Sequence, residues 1–162
     1  MKLEALRTRA LTRLEGISWV GPLALRLSLG AVFLGTGWGK LHNLGQVTSL
    51  FTELGIPFPA AQATMVSGIE LVGGTLILVG LFTRFAALPL LGTMVVAILT
   101  AKRPEIDGIR TLLAFDEFNY LAGFLWLFVA GPGKASLDAL LFRRSAALPR
   151  PLLRPSAVVE QP

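Results

Sequence analysis

The sequence predicts an all-α integral membrane protein: a four-helix bundle with amphipathic interfacial helices at its N- and C-terminal ends. Three observations lead there. Of 162 residues, 53% are hydrophobic, and the mean hydropathy is +0.66. Only 15% are charged, against roughly 25% in soluble domains. Several apolar segments approach the ~20 residues that a helix needs to cross a ~30 Å hydrocarbon core.

The same composition excludes several function classes. There is no cysteine, so the chain offers no disulfide, thiol nucleophile, cysteine-bound zinc or iron–sulfur cluster. The one histidine, His42, cannot supply paired-histidine haem ligation within a chain. It reads as an interfacial hydrogen-bonding group, and no metal site is expected. The net charge of +5 sits mainly at the two termini. Anionic lipid headgroups fit that placement better than nucleic acid does.

The expected organisation is an interfacial helix over 1–18, a four-helix transmembrane domain over 19–133, a second interfacial helix over 134–147 and a disordered proline-rich tail over 148–162. In the first segment Leu3, Leu6, Ala10, Leu14 and Ile17 recur at helical spacing among Lys2, Arg7, Arg9 and Arg13, the pattern of a helix lying in the headgroup region. The first span runs from about Pro22 to Leu41. Trp19 and Trp38 mark its interfaces, and Gly35 and Gly39 have a spacing that permits close helix approach. In the loop over 41–59, Gln46 to Leu54 predicts a short helix with Val47, Leu50, Phe51 and Leu54 on one face.

The second span, about Ala60 to Leu81, holds Glu70 near its middle. Thr64 and Gly68 form another small pair. After the turn Gly80–Arg84, the third span runs from Phe85 to about Ala101 without a charge. Pro89 lies near its start, and the uniform apolarity suggests lipid-facing packing. The last apolar run, Phe118 to Ala130, has only 13 residues, roughly 20 Å of helix. A continuous fourth span must therefore begin earlier, near Thr111, which places Asp116 and Glu117 in its outer turns with Lys40 and Arg110 as candidate partners. Gly131-Pro132-Gly133 ends that span. Ser136 can cap the helix that follows, with Asp138 in its first turn.

Four spans put both termini on one side. Together with the Gly80–Arg84 turn that side carries ten basic residues: Lys2, Arg7, Arg9, Arg13, Arg84, Lys134, Arg143, Arg144, Arg150 and Arg154. The other side carries four: Lys40, Lys102, Arg103 and Arg110. The excess predicts cytoplasmic termini in a multi-pass membrane protein, with both long loops facing the periplasm or exterior.

The candidate site residues are Arg26, Glu70, Lys40, Asp116 and Glu117. A carboxylate deep in a bilayer must pair, bind a proton or face a polar cavity. By 1.5 Å rise, Arg26 lies about 6 Å in from Pro22 and Glu70 roughly 15 Å from either helix end. Arg26 can snorkel to the interface, or it can turn inward to Glu70. An Arg–Glu pair is open to two readings. It can orient a polar headgroup such as a quinone ring, or it can only fix helix packing.

The chain resembles the DoxX family of small four-helix bacterial membrane proteins. The resemblance rests on Arg26-Leu27, Leu29-Gly30, Phe33 and Gly35 to Lys40 in the first helix. In the second it rests on Glu70, Gly73-Gly74 and Gly80-Leu81-Phe82-Thr83. Further on it rests on Glu117 and on GPGKASLDALL, Gly131 to Leu141. It spans about Leu25 to Leu141. The family is similar to a membrane subunit of thiosulfate:quinone oxidoreductase, and some members are linked with membrane oxidoreductase complexes. The resemblance therefore implies a subunit of a membrane redox complex that contacts quinone, with no covalently bound cofactor. A partner subunit or the quinone would supply the redox group. The expected partners are the lipid bilayer, a redox subunit and a second copy of the chain. Alternatives are a non-catalytic scaffold or assembly factor, and a small-molecule transporter.

Overall fold

A computed structural model describes Glu4 and residues 15–142. Most of the predicted N-terminal interfacial helix, Arg143 and Arg144, and the proline-rich tail lie outside the described residues. Within them all regular secondary structure is helical, with no strand. The helices are α1 (Val20–His42), α2 (Leu44–Glu53), α3 (Pro59–Val79), α4 (Thr83–Thr100), α5 (Ile109–Ala114), α6 (Asp116–Ala130) and α7 (Leu137–Phe142), with a 3-10 turn at Arg103–Glu105. By length and composition α1, α3 and α4 are able to cross a membrane.

The fourth segment of the bundle departs from expectation. No continuous helix runs through from Thr111: Phe115 is extended (ψ 139°), and it separates α5 from α6. The 15 residues of α6 cover about 22 Å. The helix still completes the bundle, because Phe124 and Leu127 are fully buried in the common core.

That core is small. Leu29 and Phe33 come from α1 and Ile77 from α3. Ala86, Ala87, Leu90 and Met94 come from α4. The ring of Phe33 meets Phe124 edge-on at 4.8 Å and Tyr120 at 5.3 Å. Thus α4 is not merely lipid-facing. One face enters the core, while Phe85, Leu88, Val95 and Leu99 stay exposed on the other. Leu27, Val72, Val79, Leu125 and Val129 are exposed as well. So large an outward apolar surface suits a bilayer and would be a liability in water.

Helices α1 and α3 run antiparallel in backbone contact along a glycine seam. A Cβ on Gly37 would lie 2.3 Å from the Leu71 nitrogen, one on Gly30 would lie 2.7 Å from Leu78 Cα, and one on Gly74 would lie 2.5 Å from the Leu34 nitrogen. The predicted small pairs are elsewhere: added Cβ atoms at Gly35, Gly39 and Gly68 meet nothing within 4 Å. Spacing alone did not reveal which helix face turns inward.

The end of the bundle near Gly80 is tied by polar contacts. Gly80 ends α3 in the left-handed region (φ 72°), with Gly80 N–H and Leu81 N–H both bonded to the Leu76 carbonyl. A side chain there would strike Arg26 Cζ at 2.5 Å. Helix α4 starts with backbone donors that have no partner in their own helix. Asp138 supplies one: Phe82 N–H donates to Oδ1 at 2.8 Å and Thr83 N–H to Oδ2 at 3.1 Å. Ser136 caps α7 as predicted, its Oγ accepting from Ala139 N–H at 3.1 Å.

Candidate functional site

Glu70 and Arg26 do not meet. Arg26 is buried and spends its donors on carbonyls. Nε donates to Ile77 O at 3.1 Å and Nη2 to Leu78 O at 3.2 Å. Nη1 donates to Pro132 O at 3.0 Å and Ala135 O at 2.7 Å. Two of these carbonyls lie at the C-terminal end of α3, where backbone acceptors lack helical partners and a cation is favoured. Arg26 is therefore a fastener at the Gly80 end of the bundle. Its fixed fork of donors suits that task.

The partner of Glu70 is Lys40. The sequence suggested Lys40 as a partner for Asp116 or Glu117. Instead it reaches back from the last turn of α1, and its Nζ lies 2.5 Å from Glu70 Oε1. The seam sets this meeting. With Gly37 seated against Leu71, Lys40 emerges within one turn of Glu70. Glu70 is only 2% exposed, whereas Lys40 is 36% exposed. The second oxygen, Oε2, is buried and has no hydrogen-bond partner.

Glu70 lines a cavity of about 530 Å³, within the usual size range of small-molecule sites. Its walls come from α1, α2, α3, α4 and α6. The four residues predicted to share a face of α2 (Val47, Leu50, Phe51 and Leu54) all line it. The lining is mainly apolar, and its polar groups are few: Thr36, Lys40, Gln62, Glu70, Thr93, Thr100, Glu117 and Tyr120. Among the lining residues Met65 of α3 is 54% exposed and Val96 of α4 is 49% exposed, and Pro89 and Gly92 are exposed too. Val32 and Thr36 of α1 and Leu50 of α2, which also line it, are exposed as well, so the cavity is open at the apolar side of the bundle.

The remaining candidates separate. Glu117 is half-buried and lines the cavity. Asp116 is exposed in the first turn of α6, where a helix N-terminus favours a carboxylate. Neither forms an ion pair with Lys40 or Arg110; the pairs among the described residues are Lys40–Glu70 and Lys102–Glu105. His42 stacks on Trp38 at 4.3 Å, and its Nδ1 is 2.9 Å from the Trp38 carbonyl. Sequence reasoning missed Thr36, Gln62, Thr93 and Tyr120 as cavity residues. Each is an unremarkable side chain on an apolar helix, and only the packing brings them together.

The family model for DoxX matches residues 21–103, which carry the seam, Arg26, Lys40 and Glu70. The chain belongs to the DoxX family. Among curated relatives of this DoxX protein, the uncharacterized membrane protein Rv3486 of Mycobacterium tuberculosis is 35% identical over 136 residues, covering 77% of this chain and 83% of the relative. The inner membrane protein YqjF of Escherichia coli is 29% identical over 125 residues, covering 77% and 95%. A Bacillus subtilis protein named "Putative oxidoreductase CatD" is 29% identical over 126 residues, covering 76% and 89%. No solved structure matches the chain significantly.

Proposed function

We propose that this DoxX protein is the membrane-embedded subunit of a redox complex in the bacterial inner membrane. In this reading it holds a quinone-class ring in the cavity between α1, α2, α3, α4 and α6. The carrying observation is Glu70, which lines a mainly apolar space and has a buried oxygen, Oε2, without a hydrogen-bond partner. A polar head on an apolar body matches that lining, and the sideways opening matches a ligand dissolved in the bilayer. The ring would bind at Lys40 and Glu70, and Arg26 would serve the fold.

Other observations support the redox setting. The relative CatD carries oxidoreductase in its name. The chain has no cysteine with which to hold an iron–sulfur cluster, so electrons would pass to or from a partner that carries its own redox group. The excess of basic residues supports an orientation with both termini, and the Arg26 end of the bundle, on the cytoplasmic side. The cavity then lies in the outer half of the bilayer.

Extraction of the tagged chain from native membranes with its surrounding lipid tests the reading. Mass spectrometry of the particle should find isoprenoid quinone in about one-to-one ratio, together with a cofactor-bearing protein. Recovery of the chain alone, with phospholipid and no quinone, would refute it.

A further inference from the structure

We propose that the cavity discriminates between the two redox forms of its ligand and holds the hydroxyl-bearing, reduced ring in preference to the oxidised one. This rests on the reading above, that a quinone-class ring binds here.

The inference comes from counting which polar atoms lining the cavity can give a hydrogen and which can only receive one. As a carboxylate paired with the Lys40 ammonium, Glu70 has no hydrogen to donate. Its Oε2 is an acceptor, enclosed and unpartnered. The three threonine hydroxyls have already given their hydrogens to their own helices: Thr36 to Phe33 O at 3.2 Å, Thr93 to Leu90 O at 2.8 Å and Thr100 to Val96 O at 2.7 Å. Their oxygens can now only accept. Gln62 Nε2 gives one of its two hydrogens to Pro57 O at 3.2 Å, and its amide oxygen is a further acceptor. The carboxylate of Glu117 adds acceptors. Acceptors in the lining therefore outnumber the donors still available.

Three donor groups remain: the other ammonium hydrogens of Lys40, the second amide hydrogen of Gln62 and the Tyr120 hydroxyl. Lys40 is 36% exposed, and Gln62 and Tyr120 are half-buried, so none is enclosed as Glu70 Oε2 is. A ligand hydroxyl that donates to Oε2 satisfies a buried acceptor. A ring carbonyl set against it leaves that acceptor unsatisfied and brings two negative oxygens together. Satisfying a buried polar atom changes affinity by roughly tenfold or more.

The test uses the full chain in lipid nanodiscs, with decylubiquinol and decylubiquinone as probes under anaerobic conditions and empty nanodiscs as the partition control. The expected result is a dissociation constant about tenfold lower for the quinol. In Glu70→Gln the amide oxygen keeps Lys40 and the amide N–H₂ faces the cavity, so the preference should vanish or invert. Equal, saturable binding of both forms by the unmodified chain would overturn this inference and leave the proposed function standing. Tighter binding of the quinone would overturn it as well. Saturable binding of neither form would overturn the inference together with the reading on which it rests.

Discussion

Lys40 and Glu70 belong to helices that run in opposite directions, yet they meet at 2.5 Å because the Gly37–Leu71 contact sets the register between them. The pair is lopsided. Lys40 stays partly exposed while Glu70 is enclosed, so losing the lysine should do more harm than losing both. Lys40→Met leaves a buried carboxylate without its counter-ion and should destabilise the protein by about 1–3 kcal/mol, the usual penalty being reduced because the pair is partly exposed. The double variant Lys40→Met/Glu70→Met should recover most of that loss. Thermal unfolding in a mild detergent measures both; a double variant no more stable than the single would sink the account.

The glycine seam makes a prediction that separates neighbours two residues apart. At Gly37 an added methyl meets α3 backbone atoms, which cannot rotate away. Gly37→Ala should therefore part the helices and cost about 1–3 kcal/mol. At Gly35 and Gly39 the space is open, so alanine should be neutral or stabilise by up to about 1 kcal/mol through helix propensity. Equal effects at all three positions would contradict the seam.

Arg26 should be irreplaceable by lysine. Four carbonyls on α3 and on the loop before α7 converge on a planar guanidinium, and a single ammonium cannot span them. Arg26→Lys should lower stability nearly as much as Arg26→Met, each by more than about 2 kcal/mol. In the fraction that folds, ligand affinity should be unchanged, since no atom of Arg26 lines the cavity. A selective loss of ligand binding in Arg26→Lys would restore the rejected pairing with Glu70.

Asp138 holds the start of α4 from 55 residues away. Asp138→Ala should cost about 1–2 kcal/mol as a lost N-cap, and Asp138→Asn should cost less, because its amide oxygen still accepts one bond. Hydrogen exchange localised to Phe82 and Thr83 would report the loss directly.

Gly92 sits on the exposed rim of the cavity, and an added Cβ there touches nothing within 4 Å. Gly92→Trp should fold normally while obstructing the α4 side of the cavity's opening. Quinol binding kinetics in nanodiscs should slow by about tenfold, with unfolding unaffected. An unchanged association rate would mean that the ligand takes another route.

The sequence by itself determined the membrane class, the three long spans, the short helix α2 with its apolar face and the stop at Gly131. These follow from composition, local periodicity and turn chemistry, which adjacent residues carry. It also marked Glu70 as a group in need of a partner, because a buried carboxylate is costly wherever the chain goes. Only the tertiary structure decided what that partner is. Arg26 and Lys40 both lie within plausible reach of Glu70 along the chain axis, and the choice turns on the rotation and register of α1 against α3. A backbone contact at Gly37 sets that register, and Gly35 and Gly39 look the same in sequence. The break at Phe115 and the cavity were hidden for the same reason. A cavity is what is left when several helices pack imperfectly, and no single helix records it.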